Sequence, residues 1–261
     1  MTVSFWGFSV RFLANSPDLL ADMRGLLPAA RPTNSRPEIT FQLNALTSGG
    51  ECIYMFKCGR KMLISGKDRI LVLDAFASHL ERTIAENVSR YVFVHAGAVA
   101  SKNRMILIPG PSGSGKSSLV RALVEAGGVY YSDEYAVLDH DGSVHPFPRA
   151  LSLRRPDGQK RKVPMDDSRN YPPLPVGLVI VSRYQAGSQW DPEPLSPGQA
   201  VLALLANTVR ARLDPERTIG TLRAAVGNCR AFETVRPEAE AVADELLLLM
   251  TRVVGERTEE A

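Results

Sequence analysis

Hydrophobic and polar positions keep one rhythm over residues 1–90 and another from Tyr91 onward. In the first stretch, short apolar runs are punctuated by turn formers. Ser4 to Ala14 reads as a strand, and Pro17 to Leu27 as a short helix with Ser16 at its N-cap and Pro17 in its first turn. Arg31 to Pro37 is a polar, proline-bearing linker. Glu38 to Leu43 alternates apolar with polar, the period of a half-buried strand. Further strands are expected over Cys52 to Phe56, Lys61 to Ile64 and Ile70 to Leu73, parted by turns at Gly49-Gly50, Gly59 and Gly66. Ala75 to Ser89 reads as a helix capped by Asp74.

From Tyr91 the apolar runs lose their alternation, as strands buried on both faces do. Tyr91 to His95, Met105 to Ile108, Val129 to Asp133, Ala136 to Leu138 and Val176 to Val181 are expected strands, with a turn at Asp139 to Gly142. Pro197 to Val209, capped by Ser196, Pro215 to Val226 and Pro237 to Val254 are expected helices, and the polar tail from Gly255 to Ala261 is expected to fray. Strands interleaved with helices imply an α/β sheet core. The reading divides the chain into an N-terminal α+β lobe over 1–90, assigned to substrate or partner binding, and a catalytic domain over 91–261.

Composition adds exclusions. Hydrophobic residues at 44% and charged residues at 23% are ordinary for a globular chain, and a net charge of +3 does not suggest a nucleic-acid-coating protein. No apolar run reaches the ~18 residues of a membrane span, and Met1 to Trp6 lacks the basic and apolar regions of a secretory signal. Cys52, Cys58 and Cys229 are odd in number and lack zinc-ligand spacing, which fits reduced thiols and a cytoplasmic protein.

One motif carries chemistry. Gly110-Pro111-Ser112-Gly113-Ser114-Gly115-Lys116-Ser117 is a complete G-x-x-x-x-G-K-[ST] loop, between the apolar run Met105 to Ile108 and the helix-forming stretch that opens at Ser118. Glycines let the backbone approach phosphates, and successive amides at a helix start favour an anion. The motif places Lys116 on the β- and γ-phosphates of ATP and the Ser117 hydroxyl on Mg²⁺, with Gly110 to Ser118 as the nucleotide-binding segment. Asp133 and Glu134, where the next core strand ends, are residues able to hold the metal or to take a proton from an attacking hydroxyl. His95 ends another strand just upstream of the loop.

Val92 to Arg154 resembles the catalytic core of bacterial HPr serine kinase/phosphorylase and its relatives. His95-Ala96-Gly97 stands at about the family's distance ahead of Gly110, Gly127 falls on a helix-terminating glycine, and Asp133-Glu134 falls on the family's Asp-Asp pair. Pro146 to Arg154 and Val179 to Tyr184 resemble HPr-kinase-related kinases found near peptide-modification systems, including those that phosphorylate lasso-peptide precursors. The resemblance implies an α/β phosphate-loop kinase core of the type shared with phosphoenolpyruvate carboxykinase. It implies Asp133 as general base, Glu134 on the metal and His95 near the transferred phosphoryl group. The partners it implies are a peptide or small-protein substrate and a peptide chaperone of the same gene cluster. The chain departs from the family in carrying glutamate second in the acidic pair, and in lacking the glycine-rich segment linked to the reverse reaction.

Arg154 and Arg183 are candidate phosphate or substrate clamps: Arg154 ends a strand-like run ahead of a basic loop that includes Lys160-Arg161-Lys162, and Arg183 ends the Val176 strand on the edge where α/β sites form. Trp6 and Trp190 read as packing residues, His140 and His145 as turn and surface residues. The leading expectation is ATP-dependent transfer to a serine or threonine hydroxyl. A small-molecule kinase, acting for example on free serine, and a nucleotide-binding regulatory subunit of a peptide-maturation complex are the alternatives; the sequence does not fix ATP against GTP or the oligomeric state.

Overall fold

The computed structural model describes residues 1–148, 151–154, 160–163 and 170–259. The chain packs as two units, Met1–Ser89 and Arg90–Ala261.

The first unit is a six-stranded sheet with two helices. Its elements are β1 (Thr2–Phe5), β2 (Phe8–Ala14), α1 (Pro17–Gly25), β3 (Arg31–Pro32), β4 (Ile39–Ser48), β5 (Glu51–Cys58), β6 (Lys61–Gly66) and α2 (Arg69–Asn87), with strand order β3-β1-β2-β4-β5-β6. The strand expected from Ser4 to Ala14 is instead a hairpin, because Trp6 and Gly7 take positive φ and turn Phe5 back onto Phe8. The strand expected over Ile70 to Leu73 is the start of α2. The Asp68 carboxylate accepts from the amides of Ile70 and Leu71 and sets a helix start. Val72, Phe76, Leu80 and Ile84 are then buried at helical spacing. Phe12, Phe41, Phe56 and Phe76 form the centre of this core, with ring centroids 5.5–6.1 Å apart.

The second unit is a mixed sheet between two helical layers. Its elements are β7 (Val92–Ser101), β8 (Arg104–Pro109), α3 (Lys116–Glu125), β9 (Val129–Ser132), β10 (Tyr135–Leu138), β11 (Val144–His145), β12 (Leu151–Arg154), β13 (Lys160–Val163), β14 (Val176–Tyr184), β15 (Glu193–Pro194), α4 (Pro197–Leu205), α5 (Pro215–Val226), β16 (Arg230–Arg236) and α6 (Ala239–Glu259). The sheet runs β11-β10-β7-β8-β14-β16-β15, with β9 also on β7; β8, β14 and β16 are parallel, and β12 and β13 pair separately. Met105 and Leu107 of β8 point toward α4 and α5, while Ile106 and Ile108 point toward α3 and α6. Both faces are apolar, which is why these strands read as unbroken hydrophobic runs.

Three departures from expectation matter for the site. The helix from Pro197 ends at Leu205, because residues 207–209 turn to pair with β7: His95 N–H donates to Asn207 C=O at 2.8 Å and Val209 N–H to Phe93 C=O at 3.0 Å. The last helix runs on to Glu259. Strand β16 was not expected at all.

β7 does more than end at His95. Its first half, Val92 to His95, pairs with β10, and its second half, Ala96 to Ser101, pairs with β8. Gly97 sits at this change of partner. A Cβ there would lie 2.5 Å from Val120 Cγ2 of α3, so glycine sets how closely that helix seats on the sheet. Gly97→Ala is expected to destabilise the protein by about 1–3 kcal/mol, the cost of overpacking, read as a lower urea midpoint. An unchanged midpoint would mean α3 moves aside without cost.

Candidate functional site

The chain leaves β8 at Pro109 and enters α3 at Lys116, so Gly110 to Gly115 form a loop at the C-terminal edge of a parallel strand, where α/β sheets bind ligands. Gly115 is the N-cap residue with φ +90°, and a Cβ on it would lie 2.5 Å from Arg236 Nη2. Only glycine satisfies both the left-handed backbone and that contact.

Lys116 is 6% exposed. Its ammonium donates to the carbonyls of Gly110 at 2.7 Å and Pro111 at 2.8 Å, closing the loop on itself. Burial holds its pKa below the ordinary lysine value, and the Glu134 and Asp133 carboxylates oppose that shift. Its neighbour Ser117 donates its hydroxyl to Asp133 Oδ2 at 2.9 Å. The other oxygen, Oδ1, accepts from the phenol of Tyr130 at 3.0 Å, and Asp133 is 2% exposed.

Asp133 and Glu134 form the short connection between β9 and β10. The Ser132 hydroxyl fixes it by accepting from the amides of Glu134 and Tyr135 at 3.3 and 3.2 Å. Glu134 C=O accepts from Ala96 N–H at 3.2 Å, tying it to β7. Its carboxylate lies 3.4 Å from His95 Nε2, with the two side chains 33% and 23% exposed. His95 C=O in turn accepts from Gly110 N–H at 3.3 Å. The structure thus brings His95, Gly110 to Ser118, Asp133 and Glu134 together.

The arginines behave differently. Arg154 ends β12, which lies beside α3; its side chain, like Arg155 to Gln159 of the basic loop, is outside the described residues. Arg183 is exposed on β14, next to Tyr184, and strand alternation turns the two side chains to opposite faces. The arginine that meets the loop is one the sequence reading missed. Arg236, 1% exposed, ends β16 and donates from Nη2 to Gly115 C=O at 2.9 Å and from Nη1 to Pro237 C=O at 2.9 Å. Its guanidinium lies 5.7 Å from the ring centroid of Tyr184, whose phenol donates to Glu238 at 2.5 Å. Burial lowers the Arg236 pKa from the ordinary arginine value, against the pull of Glu238 and Glu240. The available signal was position: Arg236 closes an apolar-polar run just before Pro237, on the same strand edge that singled out Arg183.

These residues fit a phosphate chain with a divalent cation. Ser114 Oγ is buried in the loop with no hydrogen-bond partner among the described residues. A hydroxyl and a carboxylate 2.9 Å apart offer the oxygen ligands that Mg²⁺ prefers.

Removing the Arg236 guanidinium takes the donor from a carbonyl at the head of α3. Arg236→Ala is expected to cost about 1–3 kcal/mol in urea unfolding and to speed amide exchange at Gly115 to Ser117. Exchange at wild-type rates there would show that the arginine does not hold the loop.

No family model matches this sequence, and no curated protein does. Among solved structures, the chain is similar to the HPr(Ser) kinase/phosphatase from Coxiella burnetii, at 15% sequence identity over 64% of this chain and 97% of that one, with a TM-score of 0.31.

Proposed function

We propose that this chain is an ATP-dependent phosphotransferase whose acceptor is a serine or threonine hydroxyl on a small protein or a ribosomally made peptide. The observation that carries the nucleotide part is the convergence at the head of α3: a buried lysine ammonium, a serine hydroxyl on a buried aspartate, and a glycine loop at the end of a parallel strand. The acceptor class rests on the resemblance of His95-Ala96-Gly97, the loop and Asp133-Glu134 to HPr-kinase-related enzymes.

Each part has a task in that reaction. Loop amides and the first turn of α3 bind the phosphate chain. Lys116 exchanges its two carbonyl partners for phosphate oxygens, a stronger, charge-assisted bond. Ser117 and Asp133 would hold Mg²⁺, which when bound would neutralise charge developing on the phosphoryl oxygens. Arg236, committed to Gly115 and Pro237, keeps the loop open rather than contacting the nucleotide.

Lys116→Ala is expected to lower nucleotide affinity or turnover by about 10²-fold or more, the scale of losing one preorganised donor to the reacting charge. The decisive assay incubates the protein with γ-labelled ATP and the peptide or protein encoded beside its gene. Mass spectrometry is expected to find a phosphate on a serine or threonine of that partner, absent with Lys116→Ala. Titration calorimetry detecting no magnesium-dependent nucleotide uptake by the wild-type chain would overturn the reading.

A further inference from the structure

We propose that the acidic pair divides its work in the opposite sense to the one the resemblance implies. Asp133 is the metal-side anchor of Ser117, and Glu134, beside His95, is the carboxylate that accepts the proton of the attacking hydroxyl. This inference rests on the nucleotide reading above.

Access argues first. Both Asp133 oxygens already accept hydrogen bonds, from Ser117 Oγ at 2.9 Å and the Tyr130 phenol at 3.0 Å, and the residue is 2% exposed. With both oxygens committed to donors and the carboxylate buried, an incoming alcohol has no open oxygen to reach. Glu134 is a third exposed and directly follows Asp133, in the turn that the Ser132 hydroxyl fixes.

Partnership argues second. In phosphate-loop nucleotide enzymes, the loop serine or threonine and an aspartate at a nearby strand end hold Mg²⁺ together. Ser117 and Asp133 are that hydroxyl and that carboxylate, in direct contact.

Surroundings argue third. Lys116 feels the field of Glu134 as well as that of Asp133, so both carboxylates border the phosphate site. His95 stands 3.4 Å from Glu134 and is held on both sides of its backbone, by Asn207 C=O at 2.8 Å and Gly110 N–H at 3.3 Å. The longer side chain of glutamate leaves its carboxylate partly exposed beside His95, where that of Asp133 is buried.

The step balances without a further reactant. The acceptor oxygen forms a bond to the γ-phosphorus as the bond to the bridging oxygen breaks. ADP leaves with that electron pair. The hydroxyl proton passes to a Glu134 carboxylate oxygen, with His95 as the adjacent group that positions it.

The test separates metal binding from transfer. Mn²⁺ replaces Mg²⁺, and its binding with ADP is followed by electron paramagnetic resonance. Asp133→Asn and Ser117→Ala are each expected to weaken Mn²⁺ binding about 10–100-fold, while Glu134→Gln leaves it unchanged. In single-turnover transfer of label from γ-labelled ATP to the peptide or protein encoded beside the gene, Glu134→Gln is expected to lose about 10²–10⁴-fold and His95→Ala less. Circular dichroism selects the variants that fold, and Ser117→Ala replaces Asp133→Asn if the latter does not. Glu134→Gln at wild-type turnover, or wild-type Mn²⁺ affinity in both anchor variants, overturns the proposal. A wild-type chain that takes up no metal–nucleotide overturns the nucleotide reading itself; one that takes it up yet transfers no label to that acceptor overturns the base assignment and leaves the nucleotide site standing.

Discussion

A lysine ammonium buried at the first position of a helix is disfavoured on two counts. It loses water, and it sits in the positive field of the aligned peptide dipoles. Lys116 accepts both penalties. Two loop carbonyls and the two nearby carboxylates compensate, and burial still depresses its pKa. The head of α3 is therefore a positive site compensated only by loop carbonyls and the acidic turn. A multivalent anion relieves the dipole, the lysine and the orphaned Ser114 hydroxyl at once. The rest of the second unit can be understood as the frame that holds this imbalance in place.

That frame is set by where strands change partners. β7 leaves β10 for β8 between His95 and Ala96, and the break between β9 and β10 falls across from it. Backbone hydrogen bonds then link His95 to Gly110 and Ala96 to Glu134, so the histidine, the loop and the acidic turn are fixed by main chain before any side chain takes part. The apolar layers on both faces of the sheet make this junction rigid. Each fully buried Ile or Leu contributes about 1.5–3 kcal/mol, and the paired strands β8 and β14 bury Ile106, Leu107, Ile108, Leu178 and Ile180.

Much of the second unit was legible because its signals are local. A glycine loop between a buried strand and a helix, proline-capped helices at Pro197 and Pro215, and doubly apolar strands all announce themselves within a few residues. What failed was read from composition alone. Ile70 to Leu73 has strand chemistry, yet the Asp68 cap and the four-residue spacing of Val72, Phe76, Leu80 and Ile84 make it helix. The Trp6-Gly7 turn hides inside an apolar run. At the site, the motif names Lys116 and Ser117, but Tyr130, which donates to Asp133, and Arg236, which donates to Gly115, come from β9 and β16, and no spacing rule links them to the loop. Nor does a sequence tell which of two adjacent carboxylates turns inward; that follows from the Ser132 turn and its pairing with β7.

The clamp on Gly115 comes from a residue 121 positions later in the chain. On a ribosome, the glycine loop emerges long before β16 does. A nascent chain that has folded β7, β8 and α3 still lacks the guanidinium that fixes the loop's last carbonyl. The loop's last carbonyl thus gains its guanidinium partner only when the last strand of the sheet has been made.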